Sequence, residues 1–339
     1  MVYQLLLIIK GGVNLLMKES KYKAQKKLAI IIPCYNCEKT IENCLNSIGV
    51  HDNVRVIAVN DCSKDSTLKI LEEYKHNNNQ FDITIVNNNY NMGPGQTRNA
   101  GLEVVNEDYL MFLDADDVLD VNYYYALNGL IENSFYDCMI FRAKRIVKNK
   151  IYEFNMFLSD KIKYGELGKE TIALIKGCPW GKVYRASIIK DNGILFADLY
   201  RAEDMVFTKT AMARCKTIKY FENVLYWYID TPGSIMNSKY DFNIDGPERA
   251  YSIVNNTLKN SGMDAELNSI YFFEVLYEGT ISYISNGASL RDSYNYFKEK
   301  SQLYCINDKY YNLYSLKYKL IYKMMKYQLM WIFIVLRKV

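Results

Sequence analysis

From Leu28 onward the chain alternates short apolar runs with stretches of helical periodicity. Leu28–Ile32 is a continuous apolar run that predicts a buried strand ended by Pro33. Thr40–Ile48 carries apolar residues on one helical face, and Val54–Val59 is the next strand-like run. A helix over Ser66–Tyr74, a strand over Ile83–Val86, a helix over Gln96–Val105 and a strand over Tyr109–Leu113 continue the series. Strand–helix alternation at this spacing predicts parallel strands with the helices covering the sheet.

Such sheets bind ligands beyond the C-terminal ends of their strands. Here those ends read Pro33-Cys34-Tyr35-Asn36, Asn60-Asp61-Cys62-Ser63, Asn88–Gly95 and Asp114-Ala115-Asp116-Asp117. Four polar strand ends on one edge of one sheet are stronger evidence for a site than any of them singly. Past Val121 the pattern loosens: Met139–Val147 and Ile218–Ile229 read as strands, and Lys169–Ile175 and Ala202–Ala213 as helices. Beyond about Tyr240 the chain reads as helical. The organisation expected is an N-terminal extension over 1–27, a catalytic domain over 28–240 and a helical region over 241–339.

Composition removes several classes of chemistry. Two histidines, His51 and His76, leave little from which to build a His-based triad or a His-rich metal site, so any chemistry should run on carboxylates. Eight cysteines spread over 339 residues are too sparse for a disulfide scaffold and fit free thiols in a reducing cytoplasm. Cys34 and Cys37 form a C-x-x-C, a spacing used by redox and zinc sites, but no second pair follows at zinc-finger spacing.

Charge is segregated. Residues 1–27 hold six Lys and one Glu, and residues 309–339 hold seven Lys or Arg and no acid; with +4 overall, residues 28–308 carry −8. An acidic body argues against nucleic-acid binding, and basic ends suit an anionic membrane surface. Val2–Met17 is apolar but interrupted by Lys10-Gly11-Gly12, too short to span a bilayer and without signal-peptide features. It reads either as sequence ahead of a start at Met17 or as a peripheral membrane segment. At the other end, Lys319, Lys323 and Lys326 share one helical face, and the apolar run Leu329–Leu336 ends in Arg337-Lys338. That is the pattern of a basic amphipathic helix lying in a membrane interface. A helix that packs on its own domain, or pairs two copies in a homo-oligomer, has the same pattern.

The motifs point to a nucleotide diphosphate. Asp114-Ala115-Asp116 places two carboxylates one residue apart past an apolar strand, suited to Mg²⁺ or Mn²⁺ shared with phosphate oxygens. A solvated acidic turn would look alike. Asp61, after a buried strand, can accept from a base N–H, and Ser66 can cap the following helix. Gly93-Pro94-Gly95 is a flexible turn entering a helix, whose Arg98 can meet a phosphate or pair with a carboxylate. Arg201-Ala202-Glu203-Asp204 opens a helix; acids there are favoured by the helix dipole, and one of them can also serve as a general base.

Together, IIIPCYNCEKTIENCLNSI, VNDCSKDST, NMGPGQTRNAGL, FLDADD, PWGKVYR, RAEDMVF and YWYIDTPGSIMNS resemble the inverting glycosyltransferases of family two, over roughly Lys27 to Ser238. Their order and spacing are similar to those of bacterial members that build capsules, exopolysaccharides and wall glycans. The resemblance implies an α/β glycosyltransferase A fold: a Rossmann-like, mostly parallel mixed sheet flanked by helices, followed by a C-terminal helical region. It also implies a UDP-sugar donor and Mn²⁺ or Mg²⁺. By position, Pro33, Tyr35 and Asn36 would cradle the nucleotide, with Glu38 at the family's acidic position. Asp61 would read the uracil edge and Arg98 would hold the donor. Asp114 would contact ribose or metal-bound waters, Asp116 would bind the metal and Asp117 would face the donor sugar. Trp180 and Lys182 would shape the donor and acceptor side. Asp204 would be the catalytic base, with Glu203 beside it.

Two departures stand out. Asn60 occupies a position where the family usually has Asp, and Ile229 one where Arg or His is frequent, so positive charge there would fall to Lys239 or Arg201. The expected enzyme transfers a sugar to a hydroxyl of a glycan or lipid-linked acceptor, in the cytoplasm or peripherally on the inner face of the cell membrane. A nucleotidyltransferase would want a Gly-rich loop with Arg and Lys after the first strand, where this chain has PCYNCEK. A non-catalytic donor-binding subunit would not need both DADD and RAED.

Overall fold

The computed structural model describes residues 27–133, 135–199, 201–230, 246–285, 287–302 and 309–338. Residues 1–26 of the expected N-terminal extension, and Lys239, lie outside these residues. The chain divides into two compact units: residues up to Phe154 with 180–190 and 221–231, and residues 155–179, 191–220 and 232–339.

The first unit is built on β1 (Leu28–Cys34), β2 (Val54–Asn60), β3 (Ile83–Asn87) and β4 (Tyr109–Phe112). These run parallel in the order β3-β2-β1-β4. The apolar runs are the cause: β1 from Leu28 to Ile32 and β4 throughout are buried, as strands covered on both faces must be. Beyond β4 the sheet turns mixed. β9 (Lys182–Arg185) pairs antiparallel with β4 and with β6 (Cys138–Val147). β10 (Ile218–Ile229) and β5 (Val118–Leu119) follow, and β7 (Lys150–Phe154) forms a hairpin with β6.

Helices α1 (Ile41–Ile48), α2 (Thr67–Asn77), α3 (Gly93–Glu103) and α4 (Tyr123–Asn133) belong to this unit, as does most of the short α6 (Ala186–Asp191) that follows β9. Helix α3 begins three residues before the expected Gln96, because Pro94 in its first turn needs no N–H partner. Gly101 lets it lie on the sheet: a Cβ there would stand 2.5 Å from Ile31 Cγ2. Strand β1 runs past Pro33 rather than stopping at it. Proline removes one donor only, and the Cys34 carbonyl still accepts from the Asp61 N–H at 2.8 Å.

In the second unit β8 (Gly165–Leu167) pairs with Ile218–Tyr220, and from Gly246 onward the described residues are mostly helical, as expected. Its helices are α5 (Glu170–Leu174), α7 (Glu203–Arg214), α8 (Gly246–Leu258) and α9 (Asp264–Ile270), then a π-helical stretch over Tyr271–Glu278. Helices α10 (Gly279–Ser285), α11 (Leu290–Ser301), α12 (Leu316–Lys326) and α13 (Met330–Lys338) complete it. Phe272, Leu276, Phe297, Ile321, Met325 and Met330 meet in its apolar centre. The fold is thus a mixed sheet with a parallel half, flanked by helices and followed by a helical region.

Candidate active site

The strand ends of the first unit are laced to one another. Asn36, held in the left-handed region at φ 47°, accepts from the Lys64 N–H through its side chain and donates its own N–H to Ser63 Oγ. The Glu38 carboxylate accepts from the Ser66 N–H at 3.0 Å, at the start of α2. Asn60, at the position where Asp was anticipated, donates to Asn87 and accepts from the Ser63 N–H, which neutral amide chemistry allows and a carboxylate could not. Tyr35 stands outside this lacing, 47% exposed. Pro33 is half-buried just before it.

Asp61 is only 2% exposed. Its Oδ1 accepts from Asn88 Nδ2 and the Met92 N–H, and its Oδ2 from the Gly93 N–H at 2.9 Å. It therefore fixes the loop that leads into α3, and Oδ2 keeps capacity for one further donor. From α3, Arg98 reaches Asp114 at 2.7 Å, a nearly buried charge-assisted contact.

The Asp114–Asp117 turn collects negative charge. Asp114 and Asp116 are half-buried, while Asp117 is fully buried and accepts from the Tyr226 phenol and the Ile229 N–H. Burial, together with the charges of Asp114 and Asp116, pushes the Asp117 carboxyl well above the usual range. The sequence placed Asp117 toward a sugar; its oxygens here serve the turn itself. Trp180 is nearly buried and stacks on Tyr226 with centroids 4.6 Å apart, and on Tyr228 at 5.8 Å. Lys182 is fully buried, donating to the Trp180 carbonyl at 3.4 Å.

Sequence reading missed two members of this region. Tyr226 lies more than a hundred residues from the carboxylates it holds, so no local spacing signals it. Arg145, on β6, stacks over the Tyr228 ring at 5.3 Å and pairs with Asp230 at 3.2 Å. It sets a cation next to Ile229, where the expected basic residue is absent.

Glu203 and Asp204 open α7 in the second unit, after Ala202 at a left-handed φ of 64°. Asp204 accepts from the Met205 N–H at 2.7 Å, so the helix start fixes its carboxylate. The neighbouring turn presses directly on α7: a Cβ on Gly177 would meet Met205 Cα at 2.9 Å, and Thr208 donates to the Gly177 carbonyl. Lys209 is fully buried and donates to the carbonyls of Ile172 and Ile175. Glu274, in the π-helical stretch, lies within electrostatic reach of Lys209, Glu278 and Asp204, and burial pushes its carboxyl up to about 7. It too was not singled out by sequence.

A cation is compatible with the Asp114–Asp116 edge. Mg²⁺ and similar ions take one or two protein carboxylates and complete their shell with water and substrate phosphates. Two half-buried carboxylates one residue apart would supply such a donor set, with Asp114 sharing its Oδ1 with Arg98.

Residues 29–193 match the family described as Glycosyl transferase family 2. That segment, 165 of the 339 residues, is similar to glycosyltransferase family 2. It is 28% identical over 276 residues to the poly(ribitol-phosphate) beta-N-acetylglucosaminyltransferase TarS of Staphylococcus aureus, covering 78% of this chain and 46% of that one. The chain thus spans about half the length of that relative. It shares its fold with the crystal structure of S. aureus TarS 1-349 in complex with UDP-GlcNAc, with a TM-score of 0.67, 24% identity and coverage of 89% and 88%. A more distant fold neighbour is GalNAc-T7 with UDP, GalNAc and Mn²⁺, at TM-score 0.54 and 12% identity, covering 90% and 58%.

Proposed function

We propose that this chain is an inverting glycosyltransferase of family two that passes a sugar from a UDP-sugar to an acceptor hydroxyl in surface polysaccharide or wall glycan synthesis. The observation that carries it is the convergence of Asp61, Arg98 and the Asp114–Asp117 turn on one edge of the parallel strands, where such sheets hold nucleotides. The resemblance to TarS, whose fold is known in complex with UDP-GlcNAc, supports the donor class.

Asp116, with Asp114, would hold Mn²⁺ or Mg²⁺, which neutralises diphosphate charge. Arg98 keeps Asp114 oriented, and Tyr226 with Ile229 holds the turn that presents both carboxylates. Arg145 supplies positive charge near Tyr228 in place of the basic residue absent at Ile229. Asp61 uses its remaining lone pair for the uracil N–H, beside Tyr35 and Asn36. Trp180 and Lys182 act from beneath, as the stacked and buried support of this edge. Asp204 accepts the proton of the acceptor hydroxyl as that oxygen attacks the anomeric carbon, and Glu203 supports the helix start. A positioned base of this kind contributes roughly 10²–10⁴ in rate.

The same reading places the enzyme peripherally on the inner face of the membrane, with a glycan or lipid-linked acceptor. No helix among the described residues is long and apolar enough to cross a bilayer. Helices α12 and α13 bury Ile321, Tyr322, Met325, Met330 and Ile334. They leave Leu316, Leu320, Tyr327 and Trp331 exposed, with Lys317, Lys323 and Lys326 among them. The tail therefore packs on its own unit through one face and still offers a second, apolar and basic face. Anionic lipid matches that combination. A homo-oligomer through the same face would bring two basic tails together.

Screening UDP-sugars for hydrolysis with and without Mn²⁺ tests the assignment. Metal-dependent UDP release from one or a few donors is expected. Pyrophosphate release from a sugar phosphate and UTP, with no UDP-sugar turnover, would overturn it.

A further inference from the structure

Helix α7 carries Asp204 in its first turn and is seated one turn further on. Asp204 and Thr208 are four residues apart, as are Met205 and Lys209, so the two pairs stack along one side of the helix. Thr208 and Lys209 are fully buried. The Lys209 ammonium donates to the Ile172 carbonyl at 3.0 Å and to the Ile175 carbonyl at 2.5 Å. Ile172 lies in the last turn of α5, where carbonyls lack partners in the helix's own ladder and a cation suits the dipole.

The Thr208 hydroxyl donates to the Gly177 carbonyl at 2.5 Å. At Gly177 the turn also touches the helix backbone: an added Cβ would stand 2.9 Å from Met205 Cα and 3.3 Å from Met205 N. That Met205 N–H is the donor that holds the Asp204 carboxylate. The segment from Ile172 to Gly177 thus grips α7 at successive points, and the last of them lies on the amide that fixes Asp204.

We propose that Gly177, Thr208 and Lys209 are positioning residues that set where the Asp204 carboxylate stands when it accepts a proton. The inference rests on the assignment of Asp204 as the base. Met205, Val206, Phe207 and Met212 bury the helix, but apolar contact is non-directional and tolerates sliding along the axis. Hydrogen bonds from Thr208 and Lys209 to fixed carbonyls do not, because they weaken steeply with distance and angle. A base must come within roughly 2.6–3.2 Å of the hydroxyl it deprotonates. A misplacement of about 1 Å can cost about 10²-fold in rate. Loss of the seat should therefore appear in kcat and leave donor binding alone.

The test compares, in the full chain, Thr208→Val, which keeps the branched shape and deletes the hydroxyl, with Thr208→Ser, which keeps the hydroxyl. Hydrogen–deuterium exchange over residues 201–208 reads the seat without any turnover. Thr208→Val should exchange there about tenfold faster than wild type, and Thr208→Ser should return toward wild type. Mn²⁺-dependent UDP release from UDP-GlcNAc reads the consequence. Thr208→Val, and Gly177→Ala through its added Cβ, should lose about tenfold or more in kcat per folded protein, with calorimetric UDP affinity within about twofold. In an Asp204→Asn background Thr208→Val should cost less than about twofold further, since the group it positions is gone. Unchanged exchange in Thr208→Val, or its full loss of rate repeated in the Asp204→Asn background, overturns the proposal. A wild-type chain that releases no UDP, or an Asp204→Asn chain with full activity, fails the donor or base reading instead and takes the positioning role with it; the exchange result tells these failures apart from failure of the seat.

Discussion

The phenol of Tyr226 donates to the buried carboxylate of Asp117 and accepts from the backbone N–H of Asp114, so one side chain of β10 ties both ends of the acidic turn. Burial and the adjacent Asp117 push that phenol well above its usual range, so it stays a proton donor throughout neutral pH. Tyr226→Phe keeps the ring stacked on Trp180 and deletes only the tie. A buried carboxylate that loses a donor costs about 1–3 kcal/mol, or several degrees of Tm. The turn carrying Asp114 and Asp116 loosens at the same time. We expect kcat for sugar transfer to fall about tenfold or more, beyond what the loss of folded protein explains. Calorimetric melting and initial rates on the same preparation check this, and an unchanged rate at lowered Tm would reduce Tyr226 to a core residue.

How the sequence announces such a site depends on range. Strands β1 to β4 are readable because each is a short, predominantly apolar run, broken only by Arg55 in β2 and Thr84 in β3 ahead of the polar ends, and those polar ends follow in a fixed order. Asp61 and Asp114 are readable for the same reason, being within a residue or two of a strand end, and Arg98 because it follows the Gly93-Pro94-Gly95 turn closely. Tyr226, Arg145 and Glu274 are not, because what defines them is a partner on another element far along the chain. Short strands β5, β7 and β9 are likewise silent: two to five residues give too little periodicity to separate from loop. The same limit explains Pro33, whose missing donor reads as a stop although the strand continues through its carbonyls.

Asp204→Asn separates binding from chemistry. The Asp204 Oδ1 accepts from the Met205 N–H, and an asparagine retains one acceptor oxygen, so the start of α7 should persist. What is lost is the ability to take a proton. Transfer should drop roughly 10²–10⁴-fold, while UDP affinity by calorimetry stays within about twofold. Full transfer by the variant would remove Asp204 from the role of base.

Glu274 gives the second unit a pH signature. Its carboxyl is pushed from 4.5 up to about 7 by burial, with Glu278 and Asp204 adding to the shift and Lys209 opposing it. A raised carboxyl means the folded state holds a proton that the unfolded chain has already released between these values. Stability is therefore fullest below about 4.5 and is lost as pH rises toward 7, then changes no further through this group. Glu274→Gln fixes the uncharged form. Relative to wild type it should gain on the order of 1–3 kcal/mol between pH 5 and pH 8. Urea unfolding at the two pH values measures the difference, and parallel behaviour of both proteins would show that Glu274 is not the group responsible.

The tail is best tested by substitution on its outward face, because α12 and α13 contribute Ile321, Met325 and Met330 to the core of their unit and deleting them would damage the fold. Leu316 and Leu320 on α12 and Tyr327 just past its end recur at helical spacings, and Trp331 continues the exposed apolar surface at the start of α13. Leu320→Asp with Trp331→Asp removes apolar contact and adds two negative charges without touching a buried side chain. Lys317, Lys323 and Lys326→Gln removes charge alone, with each lysine near an anionic surface contributing about 1 kcal/mol. Co-sedimentation with phosphatidylglycerol vesicles should fall steeply for both variants. The lysine variant should also lose the salt sensitivity of the wild-type protein, since its remaining contact is apolar. Equal sedimentation of wild type and the aspartate pair would assign this face to something other than lipid.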